Sequence, residues 1–393
     1  MTKTDFNNKA MAISFSIFAL LIILFPKESL EASKYGLSMW WNVVFPSLLP
    51  FFIASELLIG YGVVRFIGIL LEPLMRPLFR VPGVGGFVWA MGMASGFPAG
   101  AKFTARLRET NQITRIEAER LISFTNCSNP LFIIAAVSVG FFHNEQLALV
   151  LLISHYLSNF CVGILMRFYG KEKQSDRRKP SFFVKEEVSS PPPLGKMLGD
   201  AVIHSVQTLL MIGGFIILFS VLNQMLSLIG FTKFLGMFIG VVLASFGVPE
   251  TLGIPMISGL FEITLGTKLV SESDSILLYK TMMASFILAF SGLSVQAQVA
   301  SIISETDIRF TPFFIGRVLQ GIFAIIFTYI FFQPLYIKST ISEGVVSAFK
   351  PVHPENWLVF FNEILSIGPI ITITSIIIYL LIYWRRYVLR STL

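Results

Sequence analysis

The chain has 393 residues, of which 54% are hydrophobic and 13% are charged, with a formal net charge of +7 and a mean hydropathy of +0.74. Soluble domains carry about 25% charged residues, so this composition excludes an ordinary soluble protein. Two cysteines and four histidines make no disulfide framework or metal-binding motif, and we expect Cys127 and Cys161 to be small buried hydrophobic residues.

The N-terminus carries an apolar run of 15 residues, 11–25, which follows Lys3 and Lys9 and precedes Pro26. That length suits the apolar core of a signal peptide. Because no small-residue cleavage site follows directly, we predict a retained transmembrane helix within residues 1–32.

Several later stretches are long enough to cross a bilayer, which takes about 20 apolar residues. The clearest are 146–169, 201–223, 311–332 and 359–384. Shorter or amphipathic stretches are typical of helices that neighbours shield or that enter only part of the membrane, and these are 43–60, 62–79, 130–142, 230–247 and 276–290. The sequence therefore predicts an all-α polytopic membrane protein.

Two stretches interrupt the apolar sequence of the first half: 95–100 (SGFPAG) and 126–130 (NCSNP). Glycine gives room for close backbone approach and Pro98 removes a donor, so residues 95–100 predict a re-entrant hairpin, with a small-residue packing face as the alternative. Asn and Ser favour helix N-caps, and Pro favours the first helical turn. A helix restarting near Pro130, with its positive end at Asn129, is therefore predicted; an ordinary cap outside the membrane is the alternative.

The same spacing recurs 163 residues later. Ser258 and Ser291 are separated by 33 residues, as are Ser95 and Ser128. The stretch 291–298 offers a second helix restart, again with an ordinary extramembrane cap as the alternative. We therefore predict a repeat whose two units each contain a hairpin and a broken helix.

Charge gives the predicted orientation. Residues 102–120 contain five basic side chains, whereas the equivalent window 265–283 contains two basic and two acidic ones. Basic residues concentrate on the cytoplasmic side of membranes, so the two units are predicted to be inverted-topology repeats. By the same rule the basic, proline-containing segment 170–200 and the C-terminus face the cytoplasm.

The predicted organisation has six parts along the chain. They are an N-terminal transmembrane helix (1–32), a first repeat (33–169), a cytoplasmic linker (170–200), a second repeat (201–332), an external loop (333–358) and a C-terminal transmembrane helix with a basic tail (359–393).

Interrupted helices at membrane depth are tolerated where they line a cavity, and a pair of them points to a transporter's binding site. The predicted substrate-binding residues are Ser95, Gly96, Lys102, Asn126, Ser128, Asn129, Ser291, Ser294 and Gln296. Lys102 and Arg106 would attract an anion to the pore mouth, or they merely follow the cytoplasmic excess of basic residues.

Glu262 is the lone acid in its apolar segment, and ionised groups within the membrane are costly. It is a candidate to bind a coupling proton or cation, with a structural hydrogen-bond acceptor as the equal alternative; Glu56 and Glu250 are secondary candidates. His143, His155 and His204 are expected at interfaces or helix contacts. No Ser/His/Asp or paired-Asp arrangement is visible, so we expect no enzyme, no catalytic residue, no metal and no cofactor beyond a coupling ion.

Three motifs carry a family resemblance: 40–51 (WWNVVFPSLLPF), 95–102 (SGFPAGAK) and 125–130 (TNCSNP). They resemble the YlbJ family of sporulation integral membrane proteins over about residues 33–384. The resemblance implies nucleoside-recognition gate repeats and a distant similarity to concentrative nucleoside transporters. It also implies a role in endospore formation, exporting dipicolinic acid from the mother cell across the outer forespore membrane. The hairpin signature of the nucleoside transporters is not visible in this sequence, so their ligand residues are not transferred.

Residues and resemblance together predict a carrier that moves a small organic anion, dipicolinic acid in the first place, by alternating access. The alternatives are a nucleoside carrier and a non-transporting assembly factor for the spore envelope. The expected partners are the anion and the lipid bilayer, without nucleic acid. Further copies of the same chain, in a homo-oligomer, and other membrane proteins of the spore envelope are additional candidate partners.

Overall fold

A computed structural model of the protein describes residues 3–61, 63–170 and 193–337. Every regular element in these ranges is helical. The α-helices are α1 (Lys3–Leu24), α2 (Pro26–Met39), α3 (Phe45–Gly60), α4 (Val63–Phe79), α5 (Val84–Ser95), α6 (Ala99–Glu109), α7 (Arg115–Thr125), α8 (Leu147–Met166), α9 (Leu194–Leu228), α10 (Phe231–Ser245), α11 (Gly253–Phe261), α12 (Ile263–Glu272), α13 (Leu277–Phe290), α14 (Gly292–Ile303) and α15 (Phe310–Phe331). Segments with wider π-helical turns lie at Trp40–Val44, Phe132–Phe141 and Phe332–Ile337.

Among the described residues, four helical segments are long and apolar enough to cross a membrane: Leu147–Met166, Leu194–Leu228, Leu277–Ile303 and Phe310–Tyr336. The bent pair Met11–Leu24 and Pro26–Asn42 makes a fifth if it is counted as one span. The predicted spans 146–169, 201–223 and 311–332 match α8, most of α9 and α15. The predicted span 359–384 lies outside the described residues, as do most of the predicted linker and external loop. The protein is an all-α polytopic membrane protein, as the composition predicted.

The N-terminal region consists of two helices joined by a sharp bend, and not of one transmembrane helix alone. α1 and α2 meet at Phe25 with a bend of 103°. Pro26 stands at the first position of α2, where its missing N–H leaves no helical bond unmade. The predicted unit 1–32 therefore contains one helix and the start of a second, and α2 packs along α9.

The described helices form two units with the same element order. In the first, the hairpin α5–α6 precedes a broken helix made of α7 and Phe132–Phe141, and α8 follows. In the second, the hairpin α11–α12 precedes the broken helix α13–α14, and α15 follows. The hairpins and broken helices predicted from sequence are therefore confirmed, with the second hairpin turning at Glu262.

Contacts between the units fix their relative direction. Glu119 accepts hydrogen bonds from the Tyr169 hydroxyl (2.9 Å), just after α8 ends, and from Arg309 Nε (2.8 Å), just before α15 begins. At the opposite ends of these helices, Asn144 Nδ2 donates to the Tyr336 hydroxyl at 2.9 Å. The equivalent helices α8 and α15 therefore run antiparallel, which makes the repeat inverted. The Glu119 end carries the basic residues that predict the cytoplasmic side.

Glycines fix the first hairpin to the end of α7. Gly92 on α5 and Gly100 on α6 both lie against the Thr125 carbonyl, and a Cβ atom on either would collide with its oxygen. Just before that carbonyl, the Phe124 ring stacks on Phe79 of α4 at a centroid distance of 4.5 Å. The small residues of the hairpin thus serve close packing as well as the turn, and they bring the hairpin tip to the point where α7 ends.

Candidate functional site

The first helix break covers residues 126–129, between α7 and the helix Phe132–Phe141. The Oδ1 atom of Asn129 accepts a hydrogen bond from the Phe132 N–H at 2.7 Å, and its Nδ2 atom donates to the Ser95 carbonyl at 3.0 Å. The first contact is the N-cap that the sequence predicted. The second ties the break to the hairpin turn, where Gly96 has a φ of +86° that favours glycine.

Helix α8 holds the backbone of Ser128. The Ser128 N–H donates to Nε2 of His155 at 3.0 Å, and its carbonyl accepts from the Tyr156 hydroxyl at 2.9 Å. Since buried backbone groups need partners, these two side chains allow the chain to leave helical geometry at this point. His155 was expected at a helix contact, and the structure shows which contact it makes.

Arg317, on α15, is a site residue that we did not select from the sequence. It is fully buried, and its guanidinium donates to the carbonyls of Asn126 (2.6 Å) and Ser123. The sequence does contain a signal for it, because Arg317 is the charged residue inside the apolar stretch 311–332. A charge within a membrane span is by default a functional candidate.

Several buried polar atoms near the first break have no hydrogen-bond partner within the ranges that the structure describes. They are Ser95 Oγ, both amide atoms of Asn126, His155 Nδ1 and Arg317 Nε. Leaving a buried donor or acceptor unpaired costs about 1–3 kcal/mol. A polar ligand that supplied the missing partners would therefore be stabilised here.

The second break is shorter and consists of a change of backbone conformation. Ser291 (φ +70°) and Gly292 (φ +58°) both adopt the left-handed region, and α14 begins at once. The Ser291 hydroxyl is fully buried and has no partner among the described residues. Gln296 Nε2 donates to the Phe290 carbonyl at 3.1 Å, so this predicted substrate ligand closes the break itself. Ser294, also in α14, is buried.

Each break lies against its own hairpin and packs on the other repeat. A Cβ atom on Gly292 would contact the carbonyls of Gly259 (3.2 Å) and Phe261 (3.4 Å) in the second hairpin. The helix Phe132–Phe141 packs on α12, and α14 packs on α6. The structure therefore brings Ser95, Gly96 and Asn129 together in direct contact, and it places Ser291 at the equivalent point of the other repeat.

Glu262 forms the turn of the second hairpin and caps α12. Its carboxylate accepts hydrogen bonds from the N–H groups of Thr264 (3.1 Å) and Leu265 (2.7 Å). It also lines a cavity of about 220 Å³ between α2, α9 and α12, together with Glu28, Glu31, Tyr35, Ser220 and Gln224. Glu262 thus accepts hydrogen bonds from the first turn of the helix that it caps, and its coupling role stays a prediction.

Lys102 is paired with an acidic residue and packs on an aromatic ring. Its Nζ lies 3.0 Å from Glu56 Oε1 and 4.7 Å from the centre of the Phe52 ring. Arg106 forms an exposed ion pair with Glu109 at 3.3 Å. Both basic groups have acidic partners, so the attraction of these two residues for an anion is weaker than the sequence alone suggests.

Ion pairs join the repeats at the predicted cytoplasmic face. Arg108 makes two hydrogen bonds of 2.7 Å to the Asp307 carboxylate, from the α6–α7 region of one repeat to the α14–α15 loop of the other. The hydrogen bond from Arg108 holds the pKa of the Asp307 carboxyl below its usual value. Glu119 and Arg309 form the neighbouring pair.

Cys127 lies in the first break and is fully buried, whereas Cys161 on α8 is partly buried. Both are free thiols. Within the described ranges, no three His, Cys, Asp or Glu side chains are grouped as metal ligands.

A family model described as nucleoside recognition, Gate, matches residues 41–171 and 209–309. The sporulation integral membrane protein YlbJ of Bacillus subtilis (strain 168) is 55% identical over 408 aligned positions, which cover 98% of each chain. The chain belongs to this family. Each of the two Gate matches contains one hairpin and one broken helix, and the second stops just before α15.

A solved structure also resembles the chain: a double variant of CNTnw in an outward-facing state. It is 12% identical, the match covers 83% of this chain and 87% of that one, and the TM-score is 0.43.

Proposed function

We propose that the protein is a membrane carrier for a small organic anion and that it works by alternating access between its inverted repeats. Dipicolinic acid is the cargo that we propose, moved from the mother cell across the outer forespore membrane during sporulation. The family relative named for sporulation supports the setting. The chain's membership of the sporulation membrane-protein family, with its two Gate matches, does not depend on which cargo it carries.

One observation carries the proposal: each repeat places a helix break against the tip of its own hairpin. Asn129 contacts Ser95 in the first repeat, and Gly292 contacts Phe261 in the second. Non-helical backbone at membrane depth is tolerated where protein or a cavity surrounds it, and transporters of this kind bind their substrates between the repeats.

The chemistry of dipicolinate suits two such breaks. It is a flat dianion at neutral pH, and a helix N-terminus carries about half a positive elementary charge. The helix Phe132–Phe141 begins beside Asn129, and α14 begins beside the Ser291 hydroxyl, which has no partner in the described part of the chain. We propose that one carboxylate binds near each start, with Ser95, Gly96, Asn126, Ser128, Ser294 and Gln296 around them. Lys102, paired with Glu56, would lie towards the entrance.

Dipicolinate uptake by the purified full chain in liposomes tests the proposal. We expect uptake by the wild type and at least a tenfold loss in Asn129→Ala, because the cap and the tie to the hairpin are both removed, each worth about 1 kcal/mol or more. Ser128→Ala is expected to lower uptake less, since its backbone contacts with α8 stay. Asn42→Ala is the control, because Asn42 is exposed and its side chain donates to the Ser38 hydroxyl one helical turn before it.

Normal uptake in both site variants would remove these residues from the binding site. The family model described as nucleoside recognition favours a nucleoside as the second candidate cargo. If uridine competes with dipicolinate for binding, the protein is a nucleoside carrier. Liposomes that move neither compound, from protein that still retains spore-envelope partners, would indicate an assembly factor. Repeating the uptake with and without a proton gradient tests Glu262 as the coupling residue.

A further inference from the structure

Arg317 is a buried cation that has no carboxylate partner among the residues that the structure describes. It is 0% exposed in the middle of α15, and a guanidinium stays protonated in proteins. Within the described ranges its contacts are the carbonyls of Ser123 and Asn126 and the Phe313 ring, whose centre lies 5.4 Å away. These carbonyls belong to the C-terminal end of α7, which supplies only about half a negative elementary charge.

A second buried arginine shows what complete pairing looks like in this chain. Arg120 is 1% exposed, and its guanidinium donates from all three nitrogens to the carbonyls of Tyr169, Arg80 and Gly170, at 2.9, 2.9 and 3.1 Å. Arg317 instead leaves Nε without a partner among the described residues. Arg120 therefore has a structural role, in which its three nitrogens bond carbonyls of the protein. Arg317 has one charged N–H, on Nε, that remains available for a ligand.

Two further side chains at the first break carry a donor that has no partner among the described residues. The Ser128 N–H donates to Nε2 of His155, so that nitrogen carries the lone pair and the proton of the neutral ring is on Nδ1. His155 Nδ1 has no acceptor among the described residues, and neither does the amide Nδ2 of Asn126. Asn126 thus belongs to the first break, and Arg317 and His155 bond the backbone of that break at residues 126 and 128. Each of the three side chains has a buried N–H that no described residue accepts.

We propose that Arg317 binds a carboxylate of the transported anion, with Asn126 Nδ2 and His155 Nδ1 as neighbouring donors. This inference rests on the proposed carrier function, and it defines the cargo class as carboxylates. An ionised acceptor suits the site because it compensates the guanidinium charge, and charge-assisted hydrogen bonds are about twice as strong as neutral ones. A neutral ligand would leave the buried charge uncompensated.

The test is thermal unfolding of the purified full chain with dipicolinate, with the monocarboxylate picolinate, and with the neutral diamide of dipicolinate, at equal ionic strength. Both carboxylates are expected to raise the Tm of the wild type, and the diamide is not. In Arg317→Gln the carboxylate affinity is expected to fall about tenfold or more, as for loss of a charged hydrogen bond. Arg120→Gln is the matched control and is expected to keep the rise in Tm.

Asn126→Asp tests the same idea without removing the arginine. It adds a carboxylate to the residue whose carbonyl Arg317 already holds, so the ligand-free protein is expected to unfold at a higher temperature. Carboxylates are then expected to give no further rise, since the charge is compensated internally. If Arg317→Gln does not fold, Asn126→Asp tests the proposal on its own. If carboxylates raise the Tm of Asn126→Asp as much as that of the wild type, the proposal is overturned.

The remaining outcomes separate this proposal from the proposed function. Folded Arg317→Gln that responds like the wild type overturns the role of Arg317 and leaves the carrier intact. Loss of the carboxylate response in Arg317→Gln, together with wild-type liposomes that do not move dipicolinate, supports the carboxylate site and contradicts the proposed cargo. A wild type that no carboxylate stabilises, or that the diamide stabilises equally, overturns the carboxylate site.

Discussion

The two helix breaks occupy equivalent positions, yet they are built differently. At the first, four residues leave helical geometry. Side chains from α8 (His155 and Tyr156) and α15 (Arg317) hold their backbone, and Asn129 caps the helix that follows. At the second, the left-handed conformation of Ser291 and Gly292 makes the break, and α14 starts directly.

This difference shows that a repeated architecture need not repeat its chemistry. Counting partners within the described ranges, the first break has several unpaired donors and a buried charge, whereas the second has the unpaired Ser291 hydroxyl. We therefore expect the first break to provide most of the ligand affinity and the second to set the shape of the site. The following substitutions test this division, beginning with the largest expected effect.

His155→Leu removes the side chain that satisfies the Ser128 N–H. The buried N–H is left unpaired, which costs about 1–3 kcal/mol of unfolding free energy, and dipicolinate uptake is expected to fall with it. Unfolding temperature and uptake measured in the same preparation test this. His204→Leu is the control, since His204 is exposed on α9. Equal stability of the two variants would contradict a special role for the first break.

Glu262→Gln changes the cap of α12. The amide keeps one acceptor oxygen for the two N–H groups that the carboxylate now serves, so we expect a loss of about 1 kcal/mol in stability. If Glu262 couples transport to a proton, uptake in the variant no longer responds to a pH gradient. Glu305→Gln, an exposed acid on the loop after α14, is the control. A gradient response that persists in Glu262→Gln excludes the coupling role.

Ser291→Gly tests whether backbone conformation makes the second break. A left-handed conformation costs a non-glycine residue about 1 kcal/mol, so the variant is expected to be more stable than the wild type by a similar amount. Its dipicolinate uptake is expected to fall modestly, because the hydroxyl is lost. Ser291→Ala separates the two effects, since it also lacks the hydroxyl but keeps the strain. A less stable Ser291→Gly would contradict this view of the break.

Acid is expected to loosen the cytoplasmic contact between the repeats slightly. The pKa of Asp307 is lowered in the folded protein by the Arg108 hydrogen bond, so its stabilisation is complete above the usual value of 3.8 and is lost as the pH falls below it. The pair is partly exposed, and the effect is therefore small. Asp307→Asn is expected to flatten the fall of Tm with decreasing pH, and an unchanged pH profile would exclude a contribution from this pair.

Local chemistry made much of the fold predictable. Pro130 and Asn129 mark a helix start in any sequence, and the structure confirms the Asn129 cap. The fixed separation of Ser95 from Ser128, and of Ser258 from Ser291, located both breaks. The excess of basic residues in 102–120 over 265–283 predicted the inversion that the antiparallel α8 and α15 confirm.

Features that depend on distant partners were not predictable. Lys102 is neutralised by Glu56, which precedes it by 46 residues on another helix, and no local pattern indicates this pair. Arg317 was visible as a charge in an apolar span, but its contact with Asn126 is set by the packing of α15 on α7. The turn of the second hairpin falls at Glu262, because its carboxylate caps α12; the glycine pattern alone did not fix it.

A cryo-electron microscopy map of the full chain with dipicolinate tests the central claim most directly. If the two breaks share one substrate site, ligand density lies between them, with one carboxylate near Asn126 and Arg317 and the other near Ser291. Density elsewhere, for instance in the cavity beside Glu262, with neither break in contact, would contradict the account.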